Sequence, residues 1–410
     1  MRIIVEGWRF IPRSHSILSQ FQMLEMLNRG DVEVFHKDLP YLLPSWQPVT
    51  GLFNPEQERI LKQIPTPDFN CFADATWRIS YPFDLTASPN SQKTAIFATT
   101  EWGIVHNTAF VGGVSMQEAS RKNPDTIIIT TSRWSRDGFL RSGAAADRVC
   151  IVPLGYDPNI YKPISNEERI KLRKKLGWEG YFVFLNVGVM LNNKGVPALL
   201  QAFAAIVDRY PNARLVLKGT DSLFTSEKAL NKMLQSLGDQ QREKIIPKLI
   251  YIGKDLSFAE MASLYQAADV YVSPYLAEGF NMPVLEAIAC GLPVICTKGG
   301  STDDFTHPDF ALAIDSQMLN VNMNNENRFY LHPNLEHLIT LMINTIEQPN
   351  FIDRARQAGP KFVANGFTWK QITDKLLEVL VPSHHKTENK ISAITESGRV
   401  SSPIFEPIIF

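Results

Sequence analysis

Residues 278–293 read EGFNMPVLEAIACGLP and run straight into an apolar stretch, VIC, at 294–296. Pro283 suits the first turn of a helix, where its missing N–H would have no helical partner in any case. Gly291 suits the helix exit, where a left-handed backbone costs least. The stretch therefore predicts a loop, a short helix, a turn and a strand. Glu278 falls in the loop before the helix, and Glu286, eight positions on, falls on the helix itself. The free N–H groups of residues 280–284 would face outward and make a seat for an anion, most commonly a phosphate. Two glutamates at this spacing are ordinary on a solvated helix. Glu286, however, stands among Met282, Val284, Leu285, Ile288 and Ala289, where a carboxylate is costly unless it meets a partner or a ligand.

The same strand–helix rhythm extends outward in both directions. Strand-like runs fall at 2–6, 32–35, 94–99, 126–131 and 149–153, with helical apolar spacing at 16–29, 56–63 and 135–142. A segment rich in turn residues, LGYDPNIYKP at 154–163, interrupts the series. The rhythm then restarts with strands at 181–187, 213–218, 248–252 and 270–274 and helices at 196–208, 257–267, 336–346 and 368–380. Alternation of this kind predicts an α/β protein of two doubly wound, Rossmann-like domains, with ligand in the cleft at the carboxyl ends of the strands. The expected division is 1–155 and 156–366, with a helix at 367–381 returning to pack on the first domain. Residues 382–410 are rich in Ser, Lys, Glu and His and read as a loose tail.

A chain of 410 residues is too long for one core. Its 41 basic and 42 acidic residues leave a net charge of −1, which argues against a nucleic-acid partner. The four cysteines, Cys71, Cys150, Cys290 and Cys296, form no CxxC pair or zinc spacing, and reduced thiols in the cytoplasm are the simplest account. The opening MRIIVEGWRF reads as a strand and not a signal peptide, and no apolar run is long enough to span a bilayer. Contact with a membrane surface stays open. No GxGxxG follows the first strand, and no GxxxxGK[ST] or GxSxG occurs, so nicotinamide, P-loop and serine-hydrolase chemistry are disfavoured.

Two further segments end strands at the expected cleft. In NVGVMLNNKG, 186–195, a strand runs into Gly188, and Lys194 stands just before a helix, from where an ammonium can reach a phosphate. In RLVLKGT, 214–220, Lys218 and Gly219 stand in the same relation to the next strand.

With the segment at 278–293 and the VPLGYD linker, these motifs resemble the retaining glycosyltransferases of family 4, which have the GT-B architecture. The match is the Glu-x7-Glu pattern, Glu278 to Glu286, with Gly188, Lys194 and Gly195 in the VG…KG loop and a glycine turn at Gly219. It covers about residues 125–380; the first 120 residues match in organisation only. The resemblance implies a nucleotide-diphosphate sugar held by the second domain. Glu286 would bind the ribose hydroxyls and Glu278 the sugar hydroxyls. The backbone of Gly279, Phe280, Asn281 and Met282 would meet sugar and phosphate oxygens, and Lys194 would neutralise the departing diphosphate. No metal ion or other cofactor is implied. The family's arginine five positions before the lysine is replaced here by Val189, which shifts weight to Lys194 or Lys218. The family's histidine after the strand at 94–99 is replaced by Glu101, with His106 the nearest imidazole; His15 is a second candidate on the acceptor side.

The reading that follows is a cytoplasmic, metal-independent hexosyltransferase that retains anomeric configuration, acting in polysaccharide biosynthesis. Its acceptor would be a glycan, a lipid-linked sugar or a small molecule, with possible work at the inner membrane face. The alternatives are another GT-B enzyme, such as a nucleotide-sugar epimerase, or a catalytically silent nucleotide-sugar-binding subunit.

Overall fold

The computed structural model describes residues 1–381 apart from 45, 223, 324 and 325. The expected tail at 382–410 lies outside the described residues. Two six-stranded sheets, every pairing parallel, form the framework. The first contains β1 (Arg2–Gly7), β2 (Glu33–Asp38), β3 (Ala73–Arg78), β4 (Ser91–Phe97), β5 (Ile127–Thr130) and β6 (Val149–Ile151), in the order β2-β1-β3-β4-β5-β6. The second contains β7 (Phe182–Val187), β8 (Ala213–Lys218), β9 (Leu249–Ile252), β10 (Val270–Ser273), β11 (Val294–Thr297) and β12 (Ala311–Ile314), in the order β12-β11-β10-β7-β8-β9. Strands covered by helices on both faces must be apolar throughout, which is why runs such as VYVS at 270–273 and VICT at 294–297 are buried along their whole length.

In the second sheet the strand order reverses between β7 and β10, so the chains leaving these two strands diverge and open a crevice. In the first sheet the reversal lies between β1 and β3. The helix Trp369–Leu380, opened by a Thr368/Gln371 capping box, packs against the helix Ser14–Arg29 of the first domain, with Trp369 stacked on Phe21 at 5.4 Å between ring centres. Apolar packing is continuous from one domain to the other.

Several elements are absent from the sequence reading. β3, ADATWR, carries Asp74 and Arg78 and gives no apolar run, yet it lies in the middle of the first sheet. Its arginine is neutralised there by Glu6 at 2.6 Å. β12 is short and follows a bend. An antiparallel hairpin, β13 (Ser316–Met323) and β14 (Glu326–Pro333), extends from the second domain and meets the first: the Phe329 N–H donates to the Trp102 carbonyl at 2.8 Å. Its residues mix polar and short apolar stretches and carry no parallel-sheet signature. All four cysteines are free, and no helix among the described residues is long and apolar enough to cross a membrane.

Candidate active site

The crevice at the reversal point of the second sheet opens into a cleft of about 460 Å³ between the domains. Two loops build its floor. After β7, the chain makes a tight turn at Asn192–Lys194 and passes through Gly195 at φ +71. A β-carbon at Gly195 would lie 1.8 Å from the Pro274 carbonyl oxygen, so only glycine lets this turn sit against the loop after β10. The Asn193 carbonyl accepts from the N–H of Leu276 at 2.8 Å, and its amide donates to the Ala277 carbonyl at 3.1 Å. The two loops are thereby joined side by side, and Lys194 is set beside Glu278, Nζ to Oε1 2.9 Å.

The loop then enters the helix Met282–Ala289 through Asn281, which adopts a left-handed backbone at φ +76. Asparagine tolerates this conformation better than most residues, and here its side-chain amide is tied to Ser273 Oγ at 3.0 Å. Pro283 stands in the first helical turn, and Gly291 leaves the helix at φ +77. Glu286 projects from this helix into a buried site. The Tyr265 hydroxyl donates to its Oε2 at 2.8 Å, and Tyr161, from the interdomain linker, stands near it and also favours the charged form. Burial pushes its carboxyl up to about 7, against the two tyrosines, which favour the charged form.

The first domain closes the cleft from above. The carboxylate of Glu101, in the loop after β4, bonds to the Asn193 amide at 2.8 Å and to Lys194 Nζ at 3.4 Å. Lys194 thus stands between carboxylates from both domains. Burial opposes its charge, but Glu101 and Glu278 together hold the ammonium charged well above its ordinary range. Burial raises the Glu278 carboxyl, against the pull of Lys194. Thr131 Oγ1 and Ser132 Oγ both donate to the Gly279 carbonyl, at 2.8 and 2.6 Å. That carbonyl is therefore taken by the first domain, and the outward-facing groups of this loop are its N–H donors.

Among the residues singled out in the sequence, Glu101, Gly188, Lys194, Lys218, Gly219, Glu278, Gly279, Phe280, Asn281, Met282 and Glu286 all line this one cleft. The two histidines do not. His15 packs between the rings of Trp8 and Phe97, with both nitrogens buried and lacking a hydrogen-bond partner. Burial, helped by the nearby Arg13 charge, lowers it to about 3 and keeps it neutral. His106 precedes the short turn Asn107–Ala109, away from the cleft lining. Sequence reasoning missed Tyr161, Tyr265, Asn193 and Arg13; Tyr161 and Asn193 had a signal, standing in the quoted segments 154–163 and 186–195. No group of three or more potential metal-ligating side chains stands together among the described residues.

Two facing Rossmann-like domains with a cleft between them are the GT-B architecture. Solved structures of that architecture align over nearly the whole chain. HepE from Anabaena, crystallised with UDP and glucose, matches at a TM-score of 0.67 over 93% of this chain and 99% of its own, at 16% identity. WaaG, a glycosyltransferase involved in lipopolysaccharide biosynthesis, matches at 0.60 over 93% and 100%, also at 16% identity. Residues 168–358 match the family model of glycosyl transferases group 1. The mannosylfructose-phosphate synthase of Agrobacterium fabrum is 26% identical over 258 residues, 62% of this chain and 52% of that protein. The O-antigen chain mannosyltransferase B of Escherichia coli is 32% identical over 179 residues, 42% of this chain and 43% of its own. This chain spans about half the length of the curated relatives it matches.

Proposed function

We propose that the protein is a retaining, metal-independent glycosyltransferase that moves a hexosyl group from a nucleotide-diphosphate sugar to a glycan, lipid-linked or small-molecule acceptor. The observation that carries this reading is the seating of Lys194 against Glu278 beside the start of the helix Met282–Ala289, with Glu286 held by Tyr265 in the same cleft. A carboxylate accepts two hydroxyl donors well, which suits Glu286 to the paired ribose hydroxyls. The N–H groups of the loop and the Lys194 ammonium supply fixed positive charge where a diphosphate leaves, the position at which such a transition state gains most. The departing phosphate then assists removal of the acceptor proton on the same face, so configuration is retained. Glu101 stands at the acceptor side of that face, and Lys218 and Gly219 close the far wall. The cytoplasm, at or near a membrane where acceptors are lipid-linked, is the compartment that supplies nucleotide sugars.

The reading is tested by a melting-temperature panel of UDP, GDP and ADP sugars, since a ligand that binds the native state must stabilise it. NMR then follows the anomeric configuration of the product, and transfer is repeated with a chelator present. Inverted product would remove the retaining assignment, and loss of transfer on chelation would remove metal independence.

A further inference from the structure

Among the described residues, the charged groups lining the cleft are four carboxylates, Glu101, Asp255, Glu278 and Glu286, and three cations, Arg13, Lys194 and Lys218. A diphosphate entering this space meets more negative than positive charge. Two of the cations are already engaged. Lys194 is held between Glu101 and Glu278. Lys218 is buried, donates to the Gly219 carbonyl, and lies in the field of Asp255 and Asp221. Arg13 differs from both: among the described residues no carboxylate or carbonyl bonds to its guanidinium.

The position of Arg13 is nevertheless fixed. It ends the loop after β1, at the reversal point of the first sheet, directly before the helix Ser14–Arg29. Its guanidinium lies 4.8 Å from the ring centre of Trp46, in its own domain, and 5.5 Å from that of Phe224, in the other. Stacking holds the planar group while leaving its N–H edge free for a planar or tetrahedral oxyanion. Burial disfavours its charge, a cost that an arriving anion would recover.

We infer that Arg13 is a contact to the donor diphosphate, supplied by the opposite domain, so that tight donor binding requires the closed cleft. Contact by Phe224 fixes the guanidinium relative to the donor domain, which favours the donor phosphates over a phosphate carried by an acceptor. Val189, on the donor-side loop lining the same cleft, offers no charge, so Arg13 supplies a cation without a bonded partner among the described residues, from across the gap. The inference rests on the nucleotide-sugar reading above.

The test is calorimetric, on the full chain. Of UDP, GDP and ADP, the one that binds the wild type best is compared with its parent nucleoside. Arg13→Gln is expected to weaken the diphosphate about tenfold or more, as for loss of a charge-assisted hydrogen bond, and to leave the nucleoside unchanged. Phe224→Ala, which keeps the charge but frees it, is expected to fall between wild type and Arg13→Gln, and serves if Arg13→Gln misfolds. Equal diphosphate affinity in the wild type and the variants overturns the inference, as does an equal loss for nucleoside and diphosphate. A rise in acceptor KM with donor affinity intact also overturns it, and assigns Arg13 to the acceptor. Failure of the wild type to bind any of the three diphosphates removes the nucleotide-sugar reading itself.

Discussion

Glu101 and Lys194 belong to different domains and meet across the cleft, with Oε1 and Nζ 3.4 Å apart, while the same ammonium holds Glu278 at 2.9 Å. One buried cation therefore compensates two carboxylates, and removing it leaves Glu278 without a partner. Lys194→Met is expected to destabilise the protein by about 3 kcal/mol, the order found when a buried pair loses one member. Adding Glu278→Gln should recover much of this, because a neutral amide needs no counter-ion. Urea unfolding of the two single variants and the double gives the coupling directly; simple additivity would show that the pair is not energetically linked.

Glu286 makes stability depend on pH in a definite sense. Its carboxyl is raised from the ordinary 4.5 to about 7 in the folded chain. Its contribution is thus fully present below about pH 4.5 and is lost as pH rises through about 7. The full span corresponds to on the order of 3 kcal/mol. His15 acts in the opposite sense, since its folded value is lowered to about 3 and the unfolded chain takes up a proton as pH falls below about 6.5. The difference between wild type and Glu286→Gln isolates the first effect. The gap in melting temperature should change across pH 4.5–7, with wild type losing ground as pH rises; a constant gap would contradict the raised carboxyl.

Tyr265 donates to Glu286 Oε2 at 2.8 Å and touches the proposed ribose site only through that carboxylate. Tyr265→Phe removes a bond that favours the ionised form, so the Glu286 carboxyl should rise further. The expected result is a donor KM several-fold higher near pH 7, recovering toward pH 8.5 as the carboxylate ionises, with kcat little altered. A KM change independent of pH would mean that Tyr265 acts through packing instead.

Gly279 lies tight against the first domain. A β-carbon there would lie 2.1 Å from Thr99 Oγ1, and its carbonyl already accepts from Thr131 and Ser132. Gly279→Ala must displace Thr99 or part the domains. Displacement of about 1 Å at a reacting centre costs on the order of 100-fold in rate, so transfer should fall by about that factor. Thr99→Ala in the same background makes room and should restore much of the activity; no restoration would place the defect within the donor loop itself.

Much of the second domain was legible because its signals are local. Pro283 and Gly291 bracket a helix by the backbone conformations they prefer, and the apolar runs of β10 and β11 identify strands buried on both faces. β3 was not legible, because Asp74 and Arg78 break the apolar pattern and their accommodation depends on partners such as Glu6, 72 positions from Arg78 in the chain. The hairpin of β13 and β14 was missed for the same reason: what orders it includes Trp102 in the other domain. Within the cleft, Lys194 and Glu278 stand out by motif, whereas Tyr161, Tyr265 and Arg13 acquire meaning only from what they face.

Local sequence is enough to establish that two βα-repeating units are joined by a linker and that Glu278, Glu286 and Lys194 stand at strand ends and a helix start. These follow from short-range backbone preference and from the periodicity of apolar residues. Tertiary structure is needed to bring Glu101 to Lys194 and to set two hydroxyls of the first domain on the Gly279 carbonyl. It is needed likewise to bury His15 among aromatic rings and to place Arg13 between Trp46 and the second domain's Phe224. Each of these depends on strand order and domain closure, which bring together residues separated by many tens of positions, and no local pattern encodes such a distance.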